Sequence, residues 1–134
     1  MFEELRDMDY EIRRRQDWID TLRAKAESMT VSLGEKVQTS MGDSLGDIMC
    51  KILILEEELN KMIDDYADLK SDVKNTIFKL ENESWQDILC ERYVEFMSWE
   101  RIAKKHHSTV KAVQQKKKRA MKKLKSTISS ENVH

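Results

Sequence analysis

The segment from Val110 to Lys125 combines the two kinds of side chain that proteins use to hold nucleic acid. It reads VKAVQQKKKRAMKKLK and contains lysine, arginine and glutamine but no aspartate or glutamate. Ammonium and guanidinium groups pair with phosphate oxygens, whereas amides can form paired hydrogen bonds with base edges. The chemistry that this segment offers is therefore charge and hydrogen bonding rather than bond making.

The charge of the chain is divided sharply between its two ends. Residues 98–134 carry 11 Lys and Arg against 2 Asp and Glu, whereas residues 1–97 carry 13 against 23, although the whole chain has a net charge of only −1. A basic end on an acidic body is typical of a protein whose one end meets a polyanion. The alternative is a solvated basic helix that merely offsets the acidic part of the same chain.

The composition favours helices and excludes several classes of protein. At 134 residues the chain has room for one compact unit and an appendage, which is too short for a TIM barrel or a complete Rossmann enzyme. It has no proline and three glycines, too few turn residues for an all-β fold. We therefore expect an all-α protein.

The location of the protein is expected to be cytoplasmic. The N-terminus lacks the pattern of a secretory signal, and no apolar run approaches the length of a membrane span. Cys50 and Cys90 lack CxxC spacing and a nearby histidine, so we interpret both as reduced thiols instead of a disulfide or metal ligands. No cofactor, metal or membrane partner is predicted.

Two long helices are predicted before the basic segment. Apolar residues with alternating spacings of three and four begin at Leu5, and only Arg15 interrupts them, to fix the register or to reach outwards. The positions are Leu5, Met8, Ile12, Arg15, Ile19, Leu22, Ala26 and Met29. After a loop at 30–44, with Asp43 or Ser44 as the helix cap, the spacing resumes. It continues through Leu45, Ile48, Ile52, Leu55, Leu59, Met62, Tyr66, Leu69, Val73, Thr76 and Leu80.

The simplest arrangement of these helices is an antiparallel hairpin spanning residues 1–80. Its apolar face is broader than one contact between two helices covers, so we expect a homodimer or a higher homo-oligomer. The residues predicted to mediate it are Leu45, Ile48, Ile52, Leu55, Leu59 and Met62. The alternative is that the C-terminal helices of the same chain fold back over this face.

Three shorter helices are predicted in residues 81–128, followed by a tail at 129–134. The first covers Glu83 to Phe96, with Trp85, Ile88, Leu89 and Phe96 on one face. Ser98 can cap a second helix from Trp99 to about Lys105, and Thr109 can cap a third from Val110 to about Ile128. A short turn between the last two helices is typical of a helix-turn-helix.

The residues of this region resemble region 4 of sigma-70-type factors, a helix-turn-helix that reads promoter DNA. The resemblance is carried by Leu89-Cys90-Glu91-Arg92-Tyr93, by Ser98-Trp99-Glu100-Arg101-Ile102-Ala103, by Thr109 and Val113, and by Ala120-Met121-Lys122-Lys123-Leu124. With the long helices in front, most of the chain also resembles small prophage and mobile-element proteins of Gram-positive bacteria that are related to RinA-type and ArpU-type transcription activators.

The resemblance and the helical spacing together suggest which residues meet DNA. Val113, Met121 and Leu124 are expected on the inner face with Ile102 and Ala103. The predicted base-reading residues face outwards and are Val110, Lys111, Gln114, Gln115 and Lys118. The predicted phosphate contacts are Lys104, Lys105, His107, Thr109, Lys116, Lys117, Arg119, Lys122, Lys123 and Lys125. For any single lysine the alternative is ordinary solvated surface.

The turn departs from the sigma pattern at His106 and His107. His107 occupies a position where glycine would ease a positive φ, and His106 replaces the usual core leucine. We interpret both as turn residues or phosphate contacts. A pH switch is an alternative, whereas a metal site lacks further ligands at a suitable spacing.

These features distinguish four classes of function. A sequence-specific DNA-binding transcriptional regulator, derived from a phage or mobile element, accounts for the charge division, the helix-turn-helix and the size. The alternative is a protein-interaction module that docks on RNA polymerase or another regulator without DNA specificity of its own. An autonomous sigma factor is disfavoured because residues 1–80 do not resemble a promoter-melting region, and an enzyme because no catalytic constellation is present.

Overall fold

A computed structural model of the chain describes residues 2–32 and 44–132, and these ranges form five α-helices and no strand. The helices are α1 (Phe2–Ser32), α2 (Leu45–Ile77), α3 (Glu83–Tyr93), α4 (Trp99–Lys105) and α5 (Val110–Asn132). The prediction of an all-α protein is confirmed. Asp43, most of the predicted loop and the last two residues of the predicted tail lie outside the described residues.

The helices form two compact units. One is Met8–Tyr66, here called the hairpin unit, and the other combines Met1–Asp7 with Ala67–His134, here called the C-terminal unit. The boundary thus lies within α1 and α2 and not between residues 80 and 81, where the sequence predicted it. The reason is that the end of α2 is buried within the C-terminal unit, where Val73, Ile77 and Leu80 are at most 3% exposed.

The hairpin unit is held together by the predicted apolar positions of α1 and α2. Its core contains Ile19 and Ala26 from α1 together with Ile48, Ile52, Leu55 and Leu59 from α2. Ile12, Leu22, Met29 and Leu45 pack around this core, which we call the hairpin seam. Burial of each leucine or isoleucine contributes about 1.5–3 kcal/mol, so this seam is the main source of stability in the unit.

Ion pairs flank the hairpin seam and indicate that its helices are antiparallel. Arg15 pairs with Glu58 and Arg23 pairs with Glu56, so advancing along α1 corresponds to moving back along α2. Arg15, the interruption in the predicted seam, therefore points to the rim and finds a carboxylate there. Because these side chains are partly exposed, each pair contributes at most about 1 kcal/mol.

The residues predicted to mediate self-association have partners inside the same chain. Ile48, Ile52, Leu55 and Leu59 are 0–7% exposed within the hairpin seam, while Leu45 and Met62 are half-buried. A second copy could reach the four buried side chains only after α1 had moved away. Self-association through these residues stays a prediction, and it competes with the packing observed here.

Both ends of α2 are determined by local hydrogen bonds. At its start, the Asp47 amide donates to Ser44 Oγ (3.1 Å), as predicted for a capping serine. At its end, the helix stops at Ile77, three residues before the predicted limit. Asn82 is extended and caps α3 by accepting from the Trp85 amide (3.2 Å), which requires the chain to leave the helix before it.

Helix α3 is shorter than predicted because the chain turns left-handed after it. The helix ends at Tyr93, and Phe96 has φ 57°, a backbone conformation that residues with a Cβ rarely adopt. The Met97 amide donates to the Glu91 carbonyl (2.9 Å) and closes this turn. The expectation that Phe96 shares one helical face with Trp85, Ile88 and Leu89 is therefore wrong.

The connection from α4 to α5 follows the predicted pattern of caps. Ser98 accepts from the Arg101 amide (3.2 Å) at the start of α4, and Thr109 accepts from the Ala112 amide (3.1 Å) at the start of α5. Between them His107 has φ 51°, as its glycine-like position suggested. The amide of Ser108 donates to the Ala103 carbonyl (2.8 Å), which makes this a Schellman turn with histidine in place of glycine. Helix α5 then extends into the predicted tail.

Candidate nucleic-acid interface

A buried apolar cluster fixes α4 and α5 against α3. Ile88, Ile102, Ala103 and Val113 are 0–4% exposed and pack together, and this set is called the inner cluster. Further along α5, Ala120 and Leu124 are also buried, while Met121 is half-buried. Val113 and Leu124 thus lie inwards as expected, and the opposite side of α5 is left facing solvent.

Four of the five predicted base-reading residues lie on that exposed side. Lys111, Gln114, Gln115 and Lys118 are all exposed, and they are called the amide-lysine face. They also line one shallow groove together with Trp99 and Lys117. The groove brings a lysine–glutamine set from two turns of α5 next to the first residue of α4.

Val110 is placed differently from the prediction that it faces outwards. It is half-buried and packs against the inner cluster with Met97 and Trp99. The reason is its helical spacing, since Val110 lies three residues before Val113 and so shares its face. Its side chain supports the start of α5 and does not extend the amide-lysine face.

Trp99 is held in place at the edge of the groove by its neighbours. Its ring is half-buried against the inner cluster, and the Arg92 guanidinium lies 4.6 Å from the ring centroid. Arg92 also donates to the Met97 carbonyl (3.0 Å), so one arginine ties the end of α3 to the start of α4. Neither contact was predicted from the sequence.

Most predicted phosphate contacts are exposed around the amide-lysine face. Those classed as exposed are Lys104, Lys105, His107, Thr109, Arg119, Lys122, Lys123 and Lys125. Lys116 and Lys117 are half-buried, and the Lys116 ammonium lies 3.5 Å from Ser84 Oγ. Thr109 Oγ1 accepts the Ala112 amide as the cap of α5, and its hydroxyl proton can still be donated to a phosphate oxygen.

The basic side chains of α5 have no acidic partners within the described residues. None of them forms an ion pair there, and residues 101–130 contain no aspartate or glutamate. Solvent and counterions therefore screen most of their mutual repulsion. A surface of this kind gains free energy by releasing counterions when it meets a polyanion.

A buried carboxylate connects α3 to the end of α4. The Glu91 side chain is only 3% exposed, with Oε1 2.5 Å from His106 Nε2 and Oε2 2.8 Å from Lys105 Nζ. We call these three residues the Glu91 cluster. Its members hold the last turn of α4 next to α3, immediately before the left-handed turn at His107.

Opposing effects determine the protonation of the Glu91 cluster. Burial alone would raise the pKa of Glu91, but hydrogen bonds from His106 and Lys105 outweigh it and lower that pKa below its ordinary value. The same contact raises the pKa of Lys105, mainly through its hydrogen bond to Glu91. Glu91 therefore stays ionised to lower pH than an ordinary glutamate, whereas Lys105 remains 60% exposed and its predicted phosphate contact stays a prediction.

The sequence contained a signal for this cluster that the prediction did not use. Glu91 lies three residues after Ile88, so helical spacing places a carboxylate on a buried face. His106 stands where the sigma resemblance led us to expect a leucine, and its imidazole supplies the partner that a buried carboxylate needs. The unexpected histidine and the buried Glu91 therefore belong to the same cluster.

The described residues contain no cluster that could bind a metal ion and no disulfide. His, Cys, Asp and Glu side chains in these ranges never gather in a group of three that could hold a metal ion. Cys50 and Cys90 are both free thiols, and burial raises the pKa of Cys90. No helix among the described residues is both long and apolar enough to cross a membrane.

Comparisons with known proteins add no family to this picture. No protein-family model matches the chain, and neither a curated protein nor a solved structure matches it significantly. Only the residues and geometry of this chain therefore bear on its function.

Proposed function

We propose that the chain is a sequence-specific regulator of transcription that binds double-stranded DNA through α5. The single observation that carries this proposal is the amide-lysine face, where Lys111, Gln114, Gln115 and Lys118 are exposed together. The inner cluster supports this face from behind, so its side chains project from a helix that is held on α3 and α4.

The arrangement of side chains suits the major groove. An α-helix fits that groove, where glutamine can pair with adenine and lysine can donate to guanine. The lysines and arginine around the face supply phosphate contacts and make binding depend on salt. Glutamines at 114 and 115 favour base reading over charge alone, because more lysine there would serve affinity for any DNA better.

Within this proposal, the regulator acts in the cytoplasm and is derived from a phage or mobile element. RNA polymerase is a further candidate partner, because region 4 of sigma factors, which residues 81–128 resemble, also contacts the polymerase. The second candidate function, docking on polymerase without DNA specificity, predicts that Gln114 and Gln115 contact protein instead of bases.

The test begins by selecting duplexes from a random pool with the full chain and titrating the preferred duplex by fluorescence anisotropy. Gln115→Ala is expected to weaken binding to the preferred duplex by about 1–3 kcal/mol and to leave random duplex nearly unchanged. Lys122→Gln is the matched control on the same helix. It should weaken both duplexes alike and reduce the salt dependence by about one counterion.

Two results would contradict the proposal in different ways. Equal losses on both duplexes for Gln115→Ala would show that Gln115 contacts only the backbone, and base reading would pass to Lys111, Gln114 or Lys118. If the native chain selects no preferred duplex at low salt, the protein is a docking module and the DNA proposal fails.

A further inference from the structure

A second concave site lies in the C-terminal unit beside α5. This side cavity has a volume of about 360 Å³, which is within the range of small-molecule sites. Its walls are mainly apolar and come from Phe2, Tyr93, Met121 and Ile128. The proposed DNA contact does not involve these four side chains.

The walls of the side cavity are held in place by contacts within the C-terminal unit. Phe2 is 9% exposed, and its ring lies 5.2 Å from that of Tyr93 between centroids, tilted by 31°. Leu124, also in the lining, is 2% exposed. A ligand entering here meets an apolar surface that exists before it binds, which lowers the entropy cost of binding.

The polar groups of the side cavity have an excess of positive charge. Lys117 and Lys125 line it from one side of α5, while Glu3 is the one carboxylate among the lining residues. Within the described residues neither lysine forms an ion pair or a hydrogen bond. Two ammonium groups beside an apolar wall match a ligand that carries an anionic head and an apolar body.

We propose that the side cavity binds a small carboxylate with an apolar tail. The tail contacts Phe2, Met121 and Ile128, where it is removed from water. The carboxylate oxygens accept hydrogen bonds from Lys117 and Lys125, which are stronger than neutral ones because both partners are charged. A ligand with the same tail but a neutral head cannot form these charged hydrogen bonds, and a ligand with an ammonium head is repelled by the two lysines.

Binding at this site also regulates the DNA contact, an extension that rests on the proposed function. Lys117 lines both the side cavity and the groove of the amide-lysine face. A carboxylate in the cavity draws its ammonium group away from the groove and neutralises charge on α5. Occupied protein is therefore expected to bind DNA several-fold more weakly than empty protein.

The site is tested with octanoate as the probe and octylamine as its oppositely charged match. In the full chain with ¹³C-labelled methionine methyl groups, octanoate should shift the Met121 signal and leave that of Met49, which is exposed in the hairpin unit. Octylamine should leave both signals in place. Shifts at both methionines, or equal binding of the two probes, would mean general association with apolar surface and would overturn the proposal.

Two variants test the anchoring groups by calorimetry with octanoate. Lys125→Gln should weaken binding about tenfold, because one charge-assisted hydrogen bond is lost. Lys122→Gln, a change of the same kind at an exposed position of α5, should leave octanoate binding unchanged. Equal affinities of these two variants would refute the role of Lys125. Met121→Trp should fill the cavity and abolish binding, and the lysine comparison remains decisive even if that variant fails to fold.

The regulatory extension has its own measurement. Octanoate should weaken binding of the preferred duplex by the native chain but not by Lys125→Gln at the same concentration. Unchanged DNA affinity at saturating octanoate would overturn the extension. Because the probe titrations contain no DNA, failure of the site and failure of the proposed DNA function are separately visible.

Discussion

The two units of this protein are built from the same kind of helix but are stabilised in different ways. The hairpin unit has a regular apolar seam, and its charged groups pair at the rim, where water still reaches them. The C-terminal unit contains the two shortest helices, α3 and α4, together with two left-handed residues and a carboxylate that is almost completely buried. Regularly spaced apolar residues stabilise the hairpin unit, whereas individual polar contacts determine the conformation of the C-terminal unit.

This difference indicates where each unit tolerates change. A repeated seam shares its stability among many equivalent apolar contacts, so the loss of a rim ion pair has little effect. The Glu91 cluster depends on a single set of partners, because a buried charge that loses its partner keeps the full cost of burial. The hairpin unit is therefore sensitive to polarity at the seam, and the C-terminal unit to the identity of a few polar residues.

The largest effect is expected from placing a charge in the hairpin seam. Leu55→Glu should lower the free energy of unfolding by at least about 3 kcal/mol, because it removes a buried side chain and buries a carboxylate without a partner. Leu53→Glu is the matched control, since Leu53 is 64% exposed and should change by no more than about 0.5 kcal/mol. Urea titration of both variants measures the difference, and equal losses would contradict the assignment of the seam.

Sedimentation of the same two variants separates intrachain packing from self-association. If Leu53, on the exposed side of α2, contacts a second copy, Leu53→Glu should reduce the average mass of the native protein at high concentration. Leu55→Glu would destabilise the fold, and any change in the average mass would follow from that destabilisation. A native protein that is monomeric at high micromolar concentration would remove the prediction of self-association altogether.

The next largest effect is expected at the Glu91 cluster. His106→Leu should cost about 3 kcal/mol, since it leaves the 3% exposed Glu91 carboxylate without its imidazole partner. The double variant Glu91→Leu with His106→Leu should recover most of that loss, because an apolar pair can replace a buried ionic one. A double-mutant cycle in urea measures the coupling, and additive losses would show that the two side chains do not depend on each other.

Acid provides a smaller and graded test of the same cluster. The pKa of Glu91 is lower in the folded chain than in the unfolded one, so its contribution is complete above the unfolded value near 4.3. That contribution is lost as the pH falls through the lower folded pKa. The free energy of unfolding of Glu91→Gln should therefore change less between pH 6 and pH 3 than that of the native chain. Glu81→Gln, at an exposed position, should follow the native curve.

The sequence predicted the hairpin unit in detail because its determinants are local and periodic. The three-and-four spacing predicted every core residue of that unit. It also identified Arg15 as an interruption, and Arg15 forms an ion pair at the rim of the seam. That spacing, together with the resemblance to sigma region 4, predicted the buried face of α5 and placed Lys111, Gln114, Gln115 and Lys118 outside. Val110 was misplaced because outward exposure was expected for a position that shares the face of Val113.

The remaining features do not follow from the periodic spacing of apolar residues. The end of α3 could not be predicted from helix propensity, since the left-handed turn at Phe96 depends on the Met97 amide reaching back to Glu91. The position of the unit boundary depends on which helices pack against Val73 and Ile77. It could not be predicted, because the apolar face of one helix does not specify which other helix covers it. The side cavity likewise brings Phe2 next to Tyr93, residues that are 91 positions apart in the sequence.

The smallest expected effect concerns the turn between α4 and α5, where the C-terminal unit departs most from ideal local geometry. His107 has φ 51°, and glycine adopts this conformation without the steric cost that a Cβ imposes. His107→Gly should raise the free energy of unfolding by about 0.5–1 kcal/mol, since relief of strain exceeds the added freedom of the unfolded chain. His107→Asn should be close to neutral, and His107→Val should be destabilising because a β-branched side chain resists this conformation most. Urea titration of the three variants gives the order Gly, Asn, Val from most to least stable. A glycine variant less stable than the native chain would instead show that the His107 side chain itself stabilises the turn.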